Sequence, residues 1–319
     1  MTAEERRAGT GNPILGRGTW ATHAALVLVQ LAFASQAVEA KIAMLPRPLG
    51  GEDIFPEALA MMRMAGGALF FQGLLHGAPS LRASTRAPLD RRTHLVIVGL
   101  SVLGIALNQG LFLVGLRWTT PFSVSLLNAT IPVLTAALAV LFGKEKLVWR
   151  TAAGLLLSVS GVFALTGVGS PSTQDVKGSV LVALNSLSFS AYVVLSRDVV
   201  RRVGAIRLVA WLFTYATILF APFGLASLVR TLPELTPRGW FFVLYIVLVP
   251  TILAYVLNAW ALARSSATIM TIYIYLQPLI AGVLARIQLG SAIPRGALLA
   301  AVLILAGLGI VASRAPEGR

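Results

Sequence analysis

NATIPVLTAALAVLFGKEKL, residues 128–147, is the stretch on which the fold turns. No charge occurs between Asn128 and Lys144, and the uncharged run reaches back to Thr119. A helix over 119–142, rising about 1.5 Å per residue, crosses the roughly 30 Å hydrocarbon core of a bilayer. Nine other apolar blocks share the pattern, at 20–43, 56–76, 94–115, 148–168, 178–197, 206–228, 239–262, 267–289 and 294–313. The 319 residues are 57% hydrophobic and only 12% charged, about half the charge of a soluble domain. The expected fold class is an all-α membrane protein with ten transmembrane helices, and its solvent is the lipid bilayer.

Composition removes several functions. There is no cysteine, hence no disulfide, thiol nucleophile or Cys-ligated metal. His23, His76 and His94 fall at span ends without a second ligand at helical spacing, so neither a metal nor a cofactor is expected. The first block is long and lacks a small-residue cleavage site before a soluble domain, which reads as a span and not a secretory signal. A net charge of +14 invites nucleic acid, but its distribution argues otherwise. With the N-terminus in the cytoplasm, 17 Lys and Arg face the cytoplasm and eight face outward, while Arg63 lies inside a span. Positive-inside bias accounts for this basicity. It predicts no nucleic-acid partner, both termini cytoplasmic, and residence in the bacterial inner membrane.

The same stretch has a second copy. YIYLQPLIAGVLARIQLGSAI (273–293) sets Pro278 over Pro132 at an offset of 146, and that offset also sets Gly307 over Gly161. Upstream, LAFASQAVEAKIA (31–43) faces LSFSAYVVLSRDV (187–199), with Phe33 over Phe189 and Lys41 over Arg197. Five spans per half is an odd number, so the second half enters the membrane upside down. The expected organisation is a cytoplasmic segment 1–19, a first repeat 20–168, an extracytoplasmic linker 169–177, a second repeat 178–313 and a cytoplasmic tail 314–319. Inverted repeats around a central cavity are the organisation of alternating-access carriers.

PEALAMMRMAGGALFF (56–71), with a proline opening the helix and an arginine seven residues on, resembles the second-helix signature of the drug/metabolite transporter superfamily, EamA type. GLRWTTPFSVSLLNATIPVLTAALAVLFGKEKL (115–147) and SSATIMTIYIYLQPLIAGVLARIQLG (265–290) are similar to that family's helix 3–4 region and its second-half equivalent. Two departures are visible: Gly290-Ser291 where the second half of many members has Gly-Glu, and Phe33 where Trp is common. The resemblance implies ten helices in two inverted five-helix repeats and a small-molecule substrate, with export of amino acids or related metabolites first. Nucleotide sugars, vitamins, methyl donors and quaternary amines are the alternatives.

Polar side chains inside spans are costly unless they face a cavity or a partner. Glu39 and Arg63 lie at comparable depth and are expected to pair or to bind a charged group of the substrate. Glu39 is the one carboxylate placed to carry a proton, which leaves proton coupling and passive uniport both open. Tyr273 and Gln277 share a helix face beside the break that Pro278 imposes, where the Ile274 carbonyl loses its helix bond. Asn128 holds the mirror position before Pro132. Asn108 and Gln109 in the third span, Asn185, Ser188 and Tyr192 on one stripe of the sixth, and Asn258 in the eighth complete the expected substrate-binding set. Pro132, Pro278 and Pro250 are hinge candidates, and Glu145 a structural or inner-gate residue. Gly66, Gly67, Gly154 and Gly161 are expected to let helices approach closely. Such a cavity is rich in neutral donors and poor in fixed charge, so it suits a zwitterionic or amphipathic solute. A membrane enzyme would need convergent acid and base groups, yet the carboxylates fall almost all outside spans; a channel would need a carbonyl filter or rings of charge. The expectation is a transporter and not an enzyme. No oligomeric state is specified.

Overall fold

Proline, threonine and glycine set the limits of the helices before packing does. In the computed structural model, which describes residues 20–77, 88–144, 149–167, 173–262, 273–291 and 296–312, α1 spans Trp20–Met44 and α2 spans Pro56–Gly77, each roughly 30 Å or longer. Helix α3 (Arg91–Trp118) is capped by Asp90, whose side chain accepts from Thr93 N at 3.3 Å. The Thr93 bonds hold the Asp90 carboxyl below its ordinary range. Helix α4 (Pro121–Leu141) opens on Pro121, with the Thr120 hydroxyl accepting from Ser123 N at 3.2 Å. Then follow α5 (Trp149–Gly167), α6 (Thr173–Val203) and α7 (Ala205–Thr231). Helix α8 joins Pro237–Val247, a π turn at Leu248–Leu253 and Ala254–Leu262; α9 is Leu276–Leu289 and α10 Ala297–Ala312.

No strand occurs among the described residues. Among the described residues seven helices are long and apolar enough to cross a membrane, and shorter apolar helices lie at Ala152–Gly161, Leu276–Leu289 and Ala297–Gly307. The expected spans 148–168, 267–289 and 294–313 each run partly outside the described residues. The surface is apolar as well as the core, and the core also holds buried polar side chains. Leu69, Phe163 and Ile287 stand at least 70% exposed, while Gln30, Gln36, Arg63, Gln109, Asn185 and Ser186 are buried. An apolar exterior with its polar side chains turned inward is the arrangement lipid favours, and the chain is an integral membrane protein.

Packing pairs the helices across the two halves. Helix α2 lies along α7 and α5 along α10; α1 packs on α8 and α9, and α6 on α3 and α4. Small residues permit these approaches. A Cβ on Gly67 would meet the Phe213 ring at 2.6 Å, and one on Gly307 would meet the Gly154 carbonyl oxygen at 2.6 Å. Gly66 stands against Val247, and Gly161 against Ile304. The four glycines expected to serve packing therefore all lie at helix crossings. Contact order along each pair gives direction. From α1 to α9 the partners ascend together, His23 with Tyr273, Gln30 with Gln277 and Glu39 with Gln288, so the two helices run parallel. From α6 to α4 they also ascend, Ser186 to Asn128 and Ser190 to Ile131. From α6 to α3 they descend, Asn185 to Asn108 and Ser188 to Leu103, so that pair is antiparallel.

Four interruptions punctuate the bundle. Helix α3 widens into a π turn at Val102–Ala106, and α8 does so at Leu248–Leu253, which contains Pro250. Helix α4 breaks at Ala129 and Thr130 just before Pro132, and α9 begins after a turn at Ile274 and Tyr275 just before Pro278. The π turns start 146 residues apart, at Val102 and Leu248, the offset that relates the two prolines Pro132 and Pro278.

Candidate functional site

Arg63 is the only charged side chain buried deep within a described helix, at 5% exposure. Its Nε donates to the Thr251 hydroxyl at 2.6 Å, and that hydroxyl donates in turn to the Ile246 carbonyl at 3.0 Å. The cause is Pro250. Lacking an N–H, it cannot bond the carbonyl four residues back, Ile246, and Thr251 takes its place. The hinge candidate Pro250 thus sets the position of the arginine's partner. The expected pair does not form: Glu39 accepts from Gln288 Nε2 at 3.2 Å, and no ion pair joins it to Arg63. The two acidic and basic groups at similar depth belong to different helix contacts, α1 with α9 and α2 with α8.

The face shared by Tyr273 and Gln277 meets α1. Gln277 Nε2 donates to Gln30 Oε1 at 2.7 Å, and the Tyr273 hydroxyl lies 2.6 Å from His23 Nδ1. His23 and Gln30 are seven residues apart and so share a stripe of α1. His23 therefore joins a helix contact instead of standing at an interface alone. The Ile274 carbonyl, expected from the sequence to be freed beside Pro278, instead accepts from Gln277 N at 3.0 Å in a tightened turn.

At the reciprocal contact between the halves, three amides form a chain. Asn108 Nδ2 donates to Asn185 Oδ1 at 2.6 Å, and Asn185 Nδ2 donates to Asn128 Oδ1 at 3.0 Å. Ser186 adds a bond to the same Asn128 oxygen at 3.1 Å. This links α3, α6 and α4 through a fully buried Asn185, leaving Asn108 and Asn128 half-buried. Ser188 donates to the Leu103 carbonyl at 2.8 Å, inside the π turn, and the Tyr192 ring lies on Gly104, where a Cβ would sit 2.5 Å from it. The stripe Asn185, Ser188 and Tyr192 thus faces α3 as a unit. Ser188 and Tyr192 serve the helix contact, whereas the amide chain connects it to α4. Gln109 belongs to neither set: it is 1% exposed and neither amide atom has a hydrogen-bond partner among the described residues. Asn258 is half-buried on α8 with no hydrogen bond among the described residues. Glu145 lies outside the described residues.

Several participants have no counterpart in the sequence reading. Gln30 is an ordinary polar residue without a flanking break to mark it, Ser186 stands beside the candidate Asn185, and Thr251 follows the hinge candidate Pro250 without being a candidate itself. Lys41, at the end of α1, donates to the carbonyls of Leu116, Arg117 and Thr119 at 2.8–3.0 Å and so caps α3. Glu52, buried in the α1–α2 connection, accepts from the Thr236 hydroxyl and lies 3.9 Å from Arg238, tying that connection to the start of α8. A cavity of about 670 Å³ opens at this end of the bundle, between Lys41, Arg47, Glu52, Arg117, Arg230 and Glu234.

An apolar exterior, helices packed across the two halves and buried polar groups beside broken helices define a polytopic helical membrane protein. The model of the EamA-like transporter family matches residues 21–167 and again 176–313, and the chain belongs to that family, within the drug/metabolite transporter superfamily. It is 28% identical over 195 residues to an uncharacterized transporter of Archaeoglobus fulgidus, covering 60% of this chain and 66% of that protein, just under two thirds of its length. It is 25% identical over 192 residues to a probable terminal-alkyne amino-acid exporter of Streptantibioticus cattleyicolor, covering 60% of this chain and 64% of that one. A solved crystal structure of a protein superposes with a TM-score of 0.60 at 17% identity, covering 94% of this chain and 99% of the other. That likeness concerns the fold alone.

Proposed function

We propose that the chain is a secondary transporter of ten spans in two inverted five-helix repeats, 20–168 and 178–313, joined by the extracytoplasmic linker 169–177, with the segments 1–19 and 314–319 cytoplasmic. It exports an amino acid or related small metabolite across the bacterial inner membrane by alternating access. One observation carries the reading: the helix contacts are reciprocal. Helix α1 of one half runs parallel to α9 of the other, as α6 runs parallel to α4, while α2 meets α7 and α5 meets α10. Exchange of 1 with 6, 2 with 7, 3 with 8, 4 with 9 and 5 with 10 leaves this set unchanged. A twofold relation in the membrane plane gives two equivalent faces that open by turns. Family membership supports small-molecule transport. The exporter of S. cattleyicolor and the mostly neutral polar interior favour a zwitterionic solute.

In this reading the α1–α9 contact of His23, Gln30, Tyr273 and Gln277, and the Asn108–Asn185–Asn128 chain, border the substrate path from opposite sides. Asn258 lines it. The interruptions at Pro132, Pro278 and Pro250 are the hinges, and Glu39 is the group a coupled proton would occupy. Purified protein in liposomes loaded with an unlabelled amino acid provides the test. Saturable uptake of the labelled amino acid, accelerated by the load, is the expected result. Large unitary conductance without counterflow would replace the carrier with a pore, and counterflow confined to other metabolites would replace the substrate class.

A further inference from the structure

We infer that Arg63, held by Thr251 on the π turn of α8, is a binding subsite for a single carboxylate, and that the transported solute carries a free one. The inference rests on the transporter reading above and narrows it. A guanidinium offers five N–H donors in a planar fork. Here Nε is used on Thr251, and no second hydrogen bond or ion pair to Arg63 occurs among the described residues. Among the described residues no carboxylate answers it. Glu39 is bonded to Gln288, and Glu52 to Thr236 and Arg238. Glu57, six residues earlier on α2, forms no ion pair with it. A buried cation without an anion is strongly disfavoured, and a protein retains one where an anion arrives from outside.

The pairing geometry defines the class of anion. The fork edge that Nε leaves open fits the two oxygens of a carboxylate. A phosphate dianion would call for a second cation, yet among the described residues no Lys, His or other Arg contacts Arg63; the titratable neighbour is Tyr255, one turn beyond Thr251. The Tyr255 ring packs against Phe71 and Phe213, with centroids 6.3 and 5.5 Å away. Phe213 lies over Gly67, one turn along α2 from Arg63. The wall beside the charge is aromatic, which suits a carboxylate on an apolar body.

The experiment is thermal shift on the full chain in nanodiscs with a matched series: phenylalanine, phenylalaninamide, 3-phenylpropanoate and phenethylamine, with leucine and leucinamide beside them, and chloride and phosphate as inorganic anions. The acids should raise Tm, and the amides and the amine should not. Arg63→Gln should weaken acid binding by about 10- to 100-fold, the range for one lost charged hydrogen bond, while Arg63→Lys retains part of it. If Arg63→Gln fails to fold, Arg63→Lys and Thr251→Val decide: both should weaken acid binding, and wild-type affinity in both would overturn the subsite. Equal stabilisation by amides, an acid preference that survives Arg63→Gln, absence of any shift with acids, or equal stabilisation by chloride or phosphate would each overturn it too. Counterflow of phenethylamine or an amide by the native protein would remove the subsite and leave the transporter standing. Acid binding without any counterflow would do the reverse.

Discussion

Gln109 carries the largest unmet polar demand among the described residues, since both its amide atoms are buried without partners. An orphaned buried polar group costs about 1–3 kcal/mol, so Gln109→Leu, close in volume, should raise stability by about that amount. The check is a denaturation series in detergent, where an unchanged or lower midpoint would show that the amide is satisfied in the membrane. Asn185 gives the opposite case. It both accepts and donates within the amide chain, and Asn185→Leu strands Asn108 and leaves Asn128 to Ser186 alone, for a predicted loss of about 1–3 kcal/mol measured the same way. At this scale the sequence was partly legible. Arg63 was conspicuous because charge is rare in a span. Its partner was not, because Thr251 becomes special only through the carbonyl that Pro250 vacates in a folded helix. The Glu39–Arg63 pair failed for a related reason: equal depth says nothing about which helices are neighbours.

Helices carry their own legible marks where proline or close packing is involved. Pro132 and Pro278 announce breaks in α4 and α9, and both occur. The π turn of α3 has no proline, so nothing in VLGIA (102–106) reveals it; the Tyr192 ring on Gly104 and the Ser188 bond to Leu103 become visible only with α6 in place. Gly178 makes an element-level test. Its absent Cβ would lie 2.8 Å from the Gly115 carbonyl oxygen and 2.9 Å from the Trp118 carbonyl carbon, and backbone cannot step aside as a side-chain tip can. Gly178→Ala should destabilise the α3–α6 pair by about 1–3 kcal/mol, whereas Gly73→Ala, with open space around it, should not. Equal melting temperatures for the two variants would contradict this packing. Pro250→Ala restores a backbone donor for Ile246 and releases the Thr251 hydroxyl from that carbonyl. The expected result is a folded protein whose counterflow is slowed, and native rates would remove Pro250 from the hinge set.

Across the whole molecule, apolar run length and scarcity of charge were sufficient to identify a membrane protein, because lipid imposes its constraint on composition. The relation between halves was faint in sequence, since packing preserves contacts and breaks more strictly than residue types. Asn128 has Ile274 as its counterpart, yet the helices containing them hold reciprocal places. The absence of native cysteine makes the orientation of the halves directly measurable. Lys144 follows α4 and Ser291 follows α9, at matching ends of corresponding helices. Single cysteines at these two positions, probed with a membrane-impermeant maleimide on intact cells and on inverted vesicles, should label from opposite sides, Lys144→Cys from the cytoplasm and Ser291→Cys from outside. Labelling of both from one side would contradict the inverted repeat and the alternating access built on it.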